Sequence, residues 1–221
     1  MVSFLALFGG LSIHQAAATS LFTFLFTGIL CTWLYQRRGS IAWRIAAPVC
    51  AGALVFGYVG AAVAAAVDPR PLAISIALVI VAAGLYIFVP QHPRSRPREG
   101  RGWRGQLELT SVGAAAGFGS GFSGAGGPLF SVPIMVILGY VPLTAVATSQ
   151  ALQIIAAISG SVGSLQHDFI DLRIAALVTV FELVGVIGGV KLAHVASATV
   201  LRCLAGTLCV ITGSLLLLRS W

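Results

Sequence analysis

The chain has 221 residues, of which 58% are hydrophobic and only 9% are charged, and it carries a formal net charge of +7. Soluble domains usually carry about 25% charged residues, so this composition excludes a water-soluble globule. The basic residues lie in short connectors between apolar runs, where the positive-inside rule accounts for them. We therefore expect an integral membrane protein that contacts the lipid bilayer and binds no nucleic acid.

Apolar runs of bilayer-spanning length follow one another along the chain. The first half contains runs at 14–36, 41–67 and 71–90. An arginine-rich stretch follows, and we interpret residues 91–106 as a cytoplasmic linker. Hydrophobic sequence resumes at 107–140 and continues in runs at 143–166, 172–195 and 197–218. This order predicts an all-α, polytopic transmembrane helix bundle.

Two short motifs occur on both sides of the linker at the same spacing. The motif Ala18-Thr19-Ser20 returns 129 positions later as Ala147-Thr148-Ser149. The motif Arg44-Ile-Ala-Ala47 returns at the same distance as Arg173-Ile-Ala-Ala176. Two matches at one offset indicate an internal duplication, which is a common plan for secondary transporters.

The duplication predicts a first repeat at 1–90 and a second repeat at 107–221. At this offset Met1 aligns with Phe130, so residues 107–129 have no counterpart in the first repeat. Either the first repeat lacks its leading glycine-rich half-helix, or the true start lies upstream of Met1; of the two, we expect the missing half-helix.

A glycine cluster, Gly117–Pro128, contains six glycines in twelve residues. Within a membrane such a helix break is tolerated only where the freed backbone groups are buried in protein or line a cavity. We expect the break at Gly124, Gly126 and Gly127, with Pro128 in the first turn of a new helix whose N–H groups could bind an anion. The earlier glycines have the spacing of close helix packing instead.

The run 107–140 either crosses the membrane or turns back within it. A straight helix of this length would measure about 50 Å, which exceeds a hydrocarbon core of about 30 Å. A broken or re-entrant element is therefore favoured. A non-crossing hairpin would make the two repeats inverted, whereas a crossing would make them parallel. Both arrangements leave the same number of basic residues inside, so the charge rule does not decide between them.

Polar residues near the starts of two apolar runs are candidate substrate ligands. The pairs Thr19-Ser20 and Thr148-Ser149 would meet at the interface of the repeats, where transporter sites lie. The alternative is that these hydroxyls cap a helix or bond to their own backbone. Gln150 and Gln153 add amide donors in the second repeat only, with helix–helix hydrogen bonding as the alternative role.

Glu182 is the carboxylate farthest inside an apolar run. An ionisable residue at that depth indicates a pathway or a proton relay, although a hydrogen-bonded structural role is the alternative. The four cysteines form no CxxC pair, and no nucleophile stands beside a base. We therefore expect no catalytic residue, no metal and no cofactor.

The sequence 121–133, Gly-Phe-Ser-Gly-Ala-Gly-Gly-Pro-Leu-Phe-Ser-Val-Pro, followed by Leu138-Gly139-Tyr140 and Ala145–Ser149, resembles the TauE/SafE family of sulfite exporters. The resemblance extends over nearly the whole chain and implies an inner-membrane carrier of sulfite or organosulfur anions that is coupled to an ion gradient. Pro128 stands where the family usually has a third glycine.

These observations favour a secondary transporter of a small anion that spans the inner (plasma) membrane several times, with sulfite or an organosulfonate as the expected substrate. The alternative is a non-transporting membrane assembly or structural protein whose glycine motifs serve helix packing. The oligomeric state is left open by the sequence.

Overall fold

The structure, a computed structural model, describes residues 2–8, 10–88, 102–140, 142–165 and 170–195, together with 207, 210–211, 214–215 and 217–218. The described chain is helical and contains no strand, which confirms the predicted all-α class. Its helices are α1 (Val2–Phe8), α2 (Ile13–Arg37), α3 (Trp43–Ala66), α4 (Pro69–Phe88), α5 (Trp103–Ser123), α6 (Gly127–Ile137), α7 (Pro142–Leu165) and α8 (Leu172–Val195).

Three stretches of the described chain are long and apolar enough to cross a membrane: Ile13–Arg37, Trp43–Ala66 and Thr144–Val162. Large hydrophobic side chains such as Phe56 and Phe181 are exposed on the outside of the bundle. An apolar outer surface of this kind suits lipid, so the helices fit the predicted membrane protein.

Helix α2 begins at a capping box. The Ser12 hydroxyl accepts a hydrogen bond from the backbone N–H of Gln15, and the Gln15 side chain accepts one from the backbone N–H of Ser12. These bonds satisfy two N–H groups that have no partner inside the helix. At the other end, the Arg37 guanidinium lies 3.8 Å from the ring centroid of Trp33, and its charge favours the negative end of the helix dipole.

Helices α3 and α5 pack backbone against backbone through glycine. A Cβ atom added to Gly113 would clash with the carbonyl oxygen of Val49, and one added to Gly121 would clash with that of Gly57. A Cβ added to Gly117 would also be too close to the α3 backbone, at 2.6 Å from the Cα atom of Ala53. The contact partners advance together along both helices, so α3 and α5 run parallel. The glycines expected to serve packing are therefore found in a helix contact.

A sharp reversal separates α5 from α6. Gly124 and Gly126 have positive φ angles of 63° and 87°, a region that glycine adopts without steric cost. The Phe130 ring lies 2.9 Å from the position of a Cβ added to Gly119, although eleven residues of a continuous helix would span about 16 Å. The two helices therefore form a hairpin, and the predicted glycine break is confirmed.

The hairpin ends where it began, at the end of the bundle where α3 starts. Helix α7 follows the hairpin and runs parallel to α3, because Ala147 shares a cluster with Ala46 near both starts and Ser159 meets Gly57 farther along. Since α3, α5 and α7 all point the same way, the segment 107–140 leaves and returns at one end. This geometry agrees with the re-entrant alternative.

Helices α2 and α7 run antiparallel at the centre of the bundle. Gly160 of α7 lies against Leu21 of α2, whereas the earlier residue Ile154 lies against the later residue Gly28. Beside the second of these contacts, the side chain of Gln153 donates a hydrogen bond of 3.0 Å to the carbonyl oxygen of Phe24. The motifs 18–20 and 147–149 are thus on two helices of opposite direction.

Several helix boundaries repeat at the 129-residue spacing that separates the sequence motifs. Both ends of α3 lie 129 positions before the ends of α8, and α2 starts 129 positions before α7. Gly10 and Gly139 are separated by the same number and both have positive φ angles, of 67° and 96°. The same local conformations therefore accompany both copies of the motif.

Two expectations need adjustment and two lie outside the described residues. Helix α1 was not predicted, and α5 starts at Trp103, inside the stretch 91–106 assigned to the linker. Most of that linker lies outside the described residues, as does most of the run at 197–218.

Candidate functional site

The glycine break lies against the middle of α2 and α7. A Cβ added to Gly126 would lie 3.2 Å from the Phe24 ring and 3.8 Å from Oε1 of Gln153. Phe24 and Gln153 are each the twelfth residue of helices that have 25 and 24 residues. Gly127 contacts Leu152 and Gln153 of α7, and Gly124 contacts the backbone of Ala17 of α2. The first turn of α6 therefore begins near half-depth of the bundle.

Helix α6 presents backbone N–H groups at this level. It has 11 residues, carries proline in its first turn, and is preceded by Gly126, whose lack of a side chain leaves the helix without a side-chain cap. The first N–H groups of a helix have no partner inside it and carry the positive end of the dipole. This end of α6 is chemically suited to an anion.

Gln153 links α7 to α2 beside the break. Its Nε2 donates to the carbonyl oxygen of Phe24 at 3.0 Å and to the hydroxyl of Thr27 at 3.2 Å. A carbonyl oxygen only accepts, so the amide nitrogen must face Phe24 and Oε1 faces Gly126. In this conformation Gln153 performs the helix-linking role that was the alternative for it, while Gln150 is half-buried on the same helix.

The four hydroxyls of the Thr-Ser pairs divide into two groups. Thr19 accepts a hydrogen bond of 3.2 Å from the backbone N–H of Asp171, and Ser149 donates one of 2.7 Å to the carbonyl oxygen of Val146. The hydroxyl oxygens of Ser20 and Thr148 are buried and have no hydrogen-bond partner among the described residues. One hydroxyl of each pair is thus available to a ligand.

The antiparallel packing of α2 and α7 separates the two pairs in depth. Ser20 precedes Phe24 by one turn, and Ser149 precedes Gln153 by one turn, but the helices run in opposite directions. At 1.5 Å per residue the two serines lie about 12 Å apart along the bundle. Both pairs are on the packed helices α2 and α7, but a small anion cannot touch them simultaneously.

Ser20 is the member of these pairs that faces the break. On α2 it lies one turn from Ala17, which contacts Gly124, and one turn from Phe24, which contacts Gly126. Residues three and four apart share one face of a helix, so Ser20 lies on the face that packs against the break. Its exposed fraction is 0%.

Sequence reasoning missed Ser120, which lies in the last turn of α5. Its carbonyl oxygen accepts the backbone N–H of Gly124 at 2.8 Å, while its hydroxyl is buried and without a partner in the described chain. The signal was present in the sequence, because Ser120 interrupts a glycine series that otherwise serves helix packing.

An open cavity of about 500 Å³ lies at the starts of α2 and α8. Gln15, Asp171 and Arg173 contribute to its lining. Asp171 caps α8, because its carboxylate accepts the backbone N–H groups of Arg173 and Ile174. The Asp171 backbone also donates to Thr19, so this cavity adjoins the first Thr-Ser pair.

Glu182 faces α2 from α8. Its carboxyl group lies close to the hydroxyl of Thr23, and its Oε2 atom is buried without a partner among the described groups. Thr23 in turn donates to the carbonyl oxygen of Ser20 at 2.9 Å. Thr23 therefore lies between Glu182 and the backbone of Ser20.

Among the described residues no group of three or more His, Cys, Asp or Glu side chains is close enough to hold a metal ion. The buried polar residues in the described part of the chain are uncharged, and most of them are serine or threonine. Such a set supplies hydrogen-bond donors and acceptors.

Comparison with known proteins connects this geometry to a family. No curated protein and no solved structure matches the chain. A family model described as Sulfite exporter TauE/SafE matches residues 1–216. The glycine break, the Thr-Ser motif and the apolar helices all fall within that range, and the chain belongs to the sulfite exporter TauE/SafE family.

Proposed function

We propose that this protein is a secondary transporter that exports a small oxyanion, sulfite or an organosulfonate, across the inner membrane. We propose that this export is coupled to an ion gradient. Membership of an exporter family supports the class of activity. The break between α5 and α6 supports an anion site at this position. Backbone N–H groups at mid-depth can donate to an anion the hydrogen bonds that water would otherwise donate.

The observation that carries the proposal is the Ser20 hydroxyl. It is fully buried, lacks a hydrogen-bond partner among the described residues, and lies on the face of α2 that covers Gly124 and Gly126. A buried polar group without a partner costs free energy, so a protein retains one where a ligand completes it. An anion between Ser20 and the first turn of α6 would do so.

The two Thr-Ser pairs would then serve successive stages of transport. The Ser20 side adjoins the cavity that Arg173 lines, and Thr148 lies on the opposite side of the α6 start. We assign Thr148 and Ser149 to a second position on the path. Neutral hydroxyls bind an anion without holding it as tightly as a paired cation would, which favours onward movement.

The repeats 1–90 and 107–221 are proposed to be inverted. The antiparallel contact of α2 with α7 and the re-entrant α5–α6 hairpin both support this arrangement. Arg38, Arg44 and Arg104 are at the end of the bundle where α3 and α5 start, so we place that end in the cytoplasm. Arg173 and the cavity then face outward.

Glu182 is the proposed site of coupling to protons. It lies on the helix that packs along α2, and its contact with Thr23 joins it to Ser20. An ionisable group in this position suits a proton relay.

Flux of radiolabelled sulfite and methanesulfonate in proteoliposomes, with and without a pH gradient, tests the proposal. We expect saturable flux that the gradient accelerates. Absence of saturable flux for either anion would refute the transporter assignment. The packing alternative is favoured by one observation, the backbone contact of Gly113 and Gly121 with α3, since glycines used in this way need no substrate.

A further inference from the structure

Five of the eleven buried serine and threonine hydroxyl groups of the described helices donate to a carbonyl oxygen of their own helix. Ser131, for example, donates to Gly127 at 3.0 Å. Among the residues that the structure describes, the buried serines and threonines whose hydroxyl oxygens have no partner are Ser20, Ser120, Thr148 and Ser161. Each is at most 5% exposed, so water outside the bundle does not supply the missing partner.

Two of these hydroxyls lie across one helix contact. Helices α2 and α5 run antiparallel, because α2 is antiparallel to α7, while α5 and α7 are both parallel to α3. Gly124 of α5 lies against Ala17 of α2. Ser120 precedes Gly124 by one turn, and Ser20 follows Ala17 by one turn. Because the two helices are antiparallel, both steps go in the same direction, so the two serines lie at the same level.

A second contact confirms that level independently. A Cβ added to Gly160 of α7 would meet both the Leu21 side chain and the Cα atom of Gly121, the latter at 3.5 Å. Leu21 and Gly121 directly follow Ser20 and Ser120 in the chain. The two serines are therefore each one residue from a point where α2, α5 and α7 touch.

The Ser20 and Ser120 hydroxyls do not bond to each other, because each lacks any partner among the described residues. Each hydroxyl can donate one proton. The start of α6 contributes its N–H groups from the adjoining break. The two hydroxyls and the first N–H groups of α6 are therefore three sources of hydrogen-bond donors in this region. The carbonyl oxygen of Ser120 is already bonded to the N–H of Gly124.

We propose that Ser120 is an anion-binding residue that acts together with Ser20, so that one oxygen of the transported oxyanion lies between the two hydroxyls beside the first turn of α6. This inference rests on the proposed transport function and adds to it a residue from the hairpin itself. The hairpin then contacts the substrate through a side chain as well as through its backbone, so binding ties α2 to α5.

The test compares Ser120→Ala with Ser131→Ala in the purified full-length protein. Sodium sulfite is titrated, and the midpoint of thermal unfolding and the concentration that half-saturates flux are measured. Without sulfite, Ser120→Ala should unfold at the same or a higher temperature, because a buried unsatisfied group has been removed. Its half-saturating concentration should rise about tenfold, the order expected for one lost hydrogen bond to a charged group.

Ser131→Ala is the matched control, since its hydroxyl is equally buried, lies in the same hairpin and is already satisfied. It should keep the wild-type half-saturating concentration. A Ser120→Cys variant, which retains the volume with a weaker donor, should give an intermediate value.

The outcomes separate the two proposals. A wild-type protein that responds to sulfite together with an unchanged half-saturating concentration in Ser120→Ala overturns the role of Ser120 and leaves a bridging water as the partner of the pair. A wild-type protein that shows no flux and no thermal response with either sulfite or methanesulfonate overturns the transporter assignment itself.

Discussion

Gln153 donates a hydrogen bond of 3.0 Å to the carbonyl oxygen of Phe24, the residue that stands 129 positions earlier in the chain. That spacing is the offset of the two sequence motifs, so the two residues would be equivalent positions of the proposed repeats. Equivalent residues meet where a two-fold axis passes between them. Because α2 and α7 run antiparallel, such an axis lies across the helices, as in inverted-topology repeats.

Replacing Gln153 with methionine should loosen this contact. The substitution keeps the volume but removes both hydrogen bonds from Nε2, and interhelical hydrogen bonds in membranes contribute about 0.6–2 kcal/mol. We expect a lower midpoint of thermal unfolding in detergent. Gln150→Met is the control, because the structure gives Gln150 no comparable bond to α2. Equal midpoints for the two variants would contradict a structural role of Gln153.

Replacing Gly113 with alanine should destabilise the protein strongly. The added methyl group would clash with the carbonyl oxygen of Val49 on α3, and overpacking of this kind costs about 1–3 kcal/mol. Gly185→Ala is the control, since a Cβ there meets nothing within 4 Å. Alanine in that exposed helical position should stabilise by about 0.5–1 kcal/mol. Opposite shifts of the unfolding midpoint are expected, and equal shifts would contradict the α3–α5 packing.

The sequence was sufficient for the features that depend on local chemistry. Apolar runs predicted the helices because a lipid environment leaves few alternatives. The break at Gly124 and Gly126 was predicted because glycine weakens a helix and adopts positive φ angles, and because proline cannot continue a helix, wherever these residues occur. The capping box of Ser12 and Gln15 also has a sequence signature, and it marks the start of α2.

Features that depend on distant contacts were not predictable in the same way. The positions of the basic residues agreed equally well with a membrane crossing and with a re-entrant hairpin. The contact of Phe130 with Gly119 showed that α6 turns back along α5. Ser120 was not identified from the sequence, because its missing partner is visible only in three dimensions. The separation of Ser20 from Ser149 likewise follows from antiparallel packing, which repetition of a motif does not specify.

Cysteine labelling can test the inverted arrangement directly. In a background without the native cysteines, Asp68→Cys and Leu172→Cys should react with an impermeant maleimide added outside the cell, and Gln36→Cys should not. All three positions are exposed in the structure, so membrane sidedness decides the result. If the hairpin crossed the membrane and the repeats were parallel, residue 172 would label from the same side as residue 36.

Replacing Thr148 with valine should reduce transport without reducing stability. Valine has nearly the shape of threonine, and the hydroxyl it removes is buried without a partner in the described chain. Thr179→Val is the control, because that hydroxyl donates to Ala175 within α8 at 2.8 Å. Flux should fall in Thr148→Val and persist in Thr179→Val at equal expression. A parallel loss of folded protein and flux in Thr148→Val would favour the packing alternative.

Replacing Glu182 with glutamine should uncouple transport from the pH gradient. The single hydroxyl proton of Thr23 is directed to the carbonyl oxygen of Ser20 at 2.9 Å, so Thr23 offers Glu182 only a lone pair. A protonated Glu182 can donate to that lone pair, whereas an ionised one would draw the Thr23 proton away from Ser20. The charge of Glu182 is thereby linked to the helix face that covers the glycine break.

Glutamine keeps a permanent donor and resembles the protonated state, so sulfite flux in Glu182→Gln proteoliposomes should persist but should be insensitive to an imposed pH gradient. Glu108→Gln, a carboxylate substitution near the start of α5, is the control and should keep the dependence of the wild-type protein. If Glu182→Gln also kept that dependence, Glu182 would be a structural hydrogen-bonding residue, and the coupling ion would have to act elsewhere on the path.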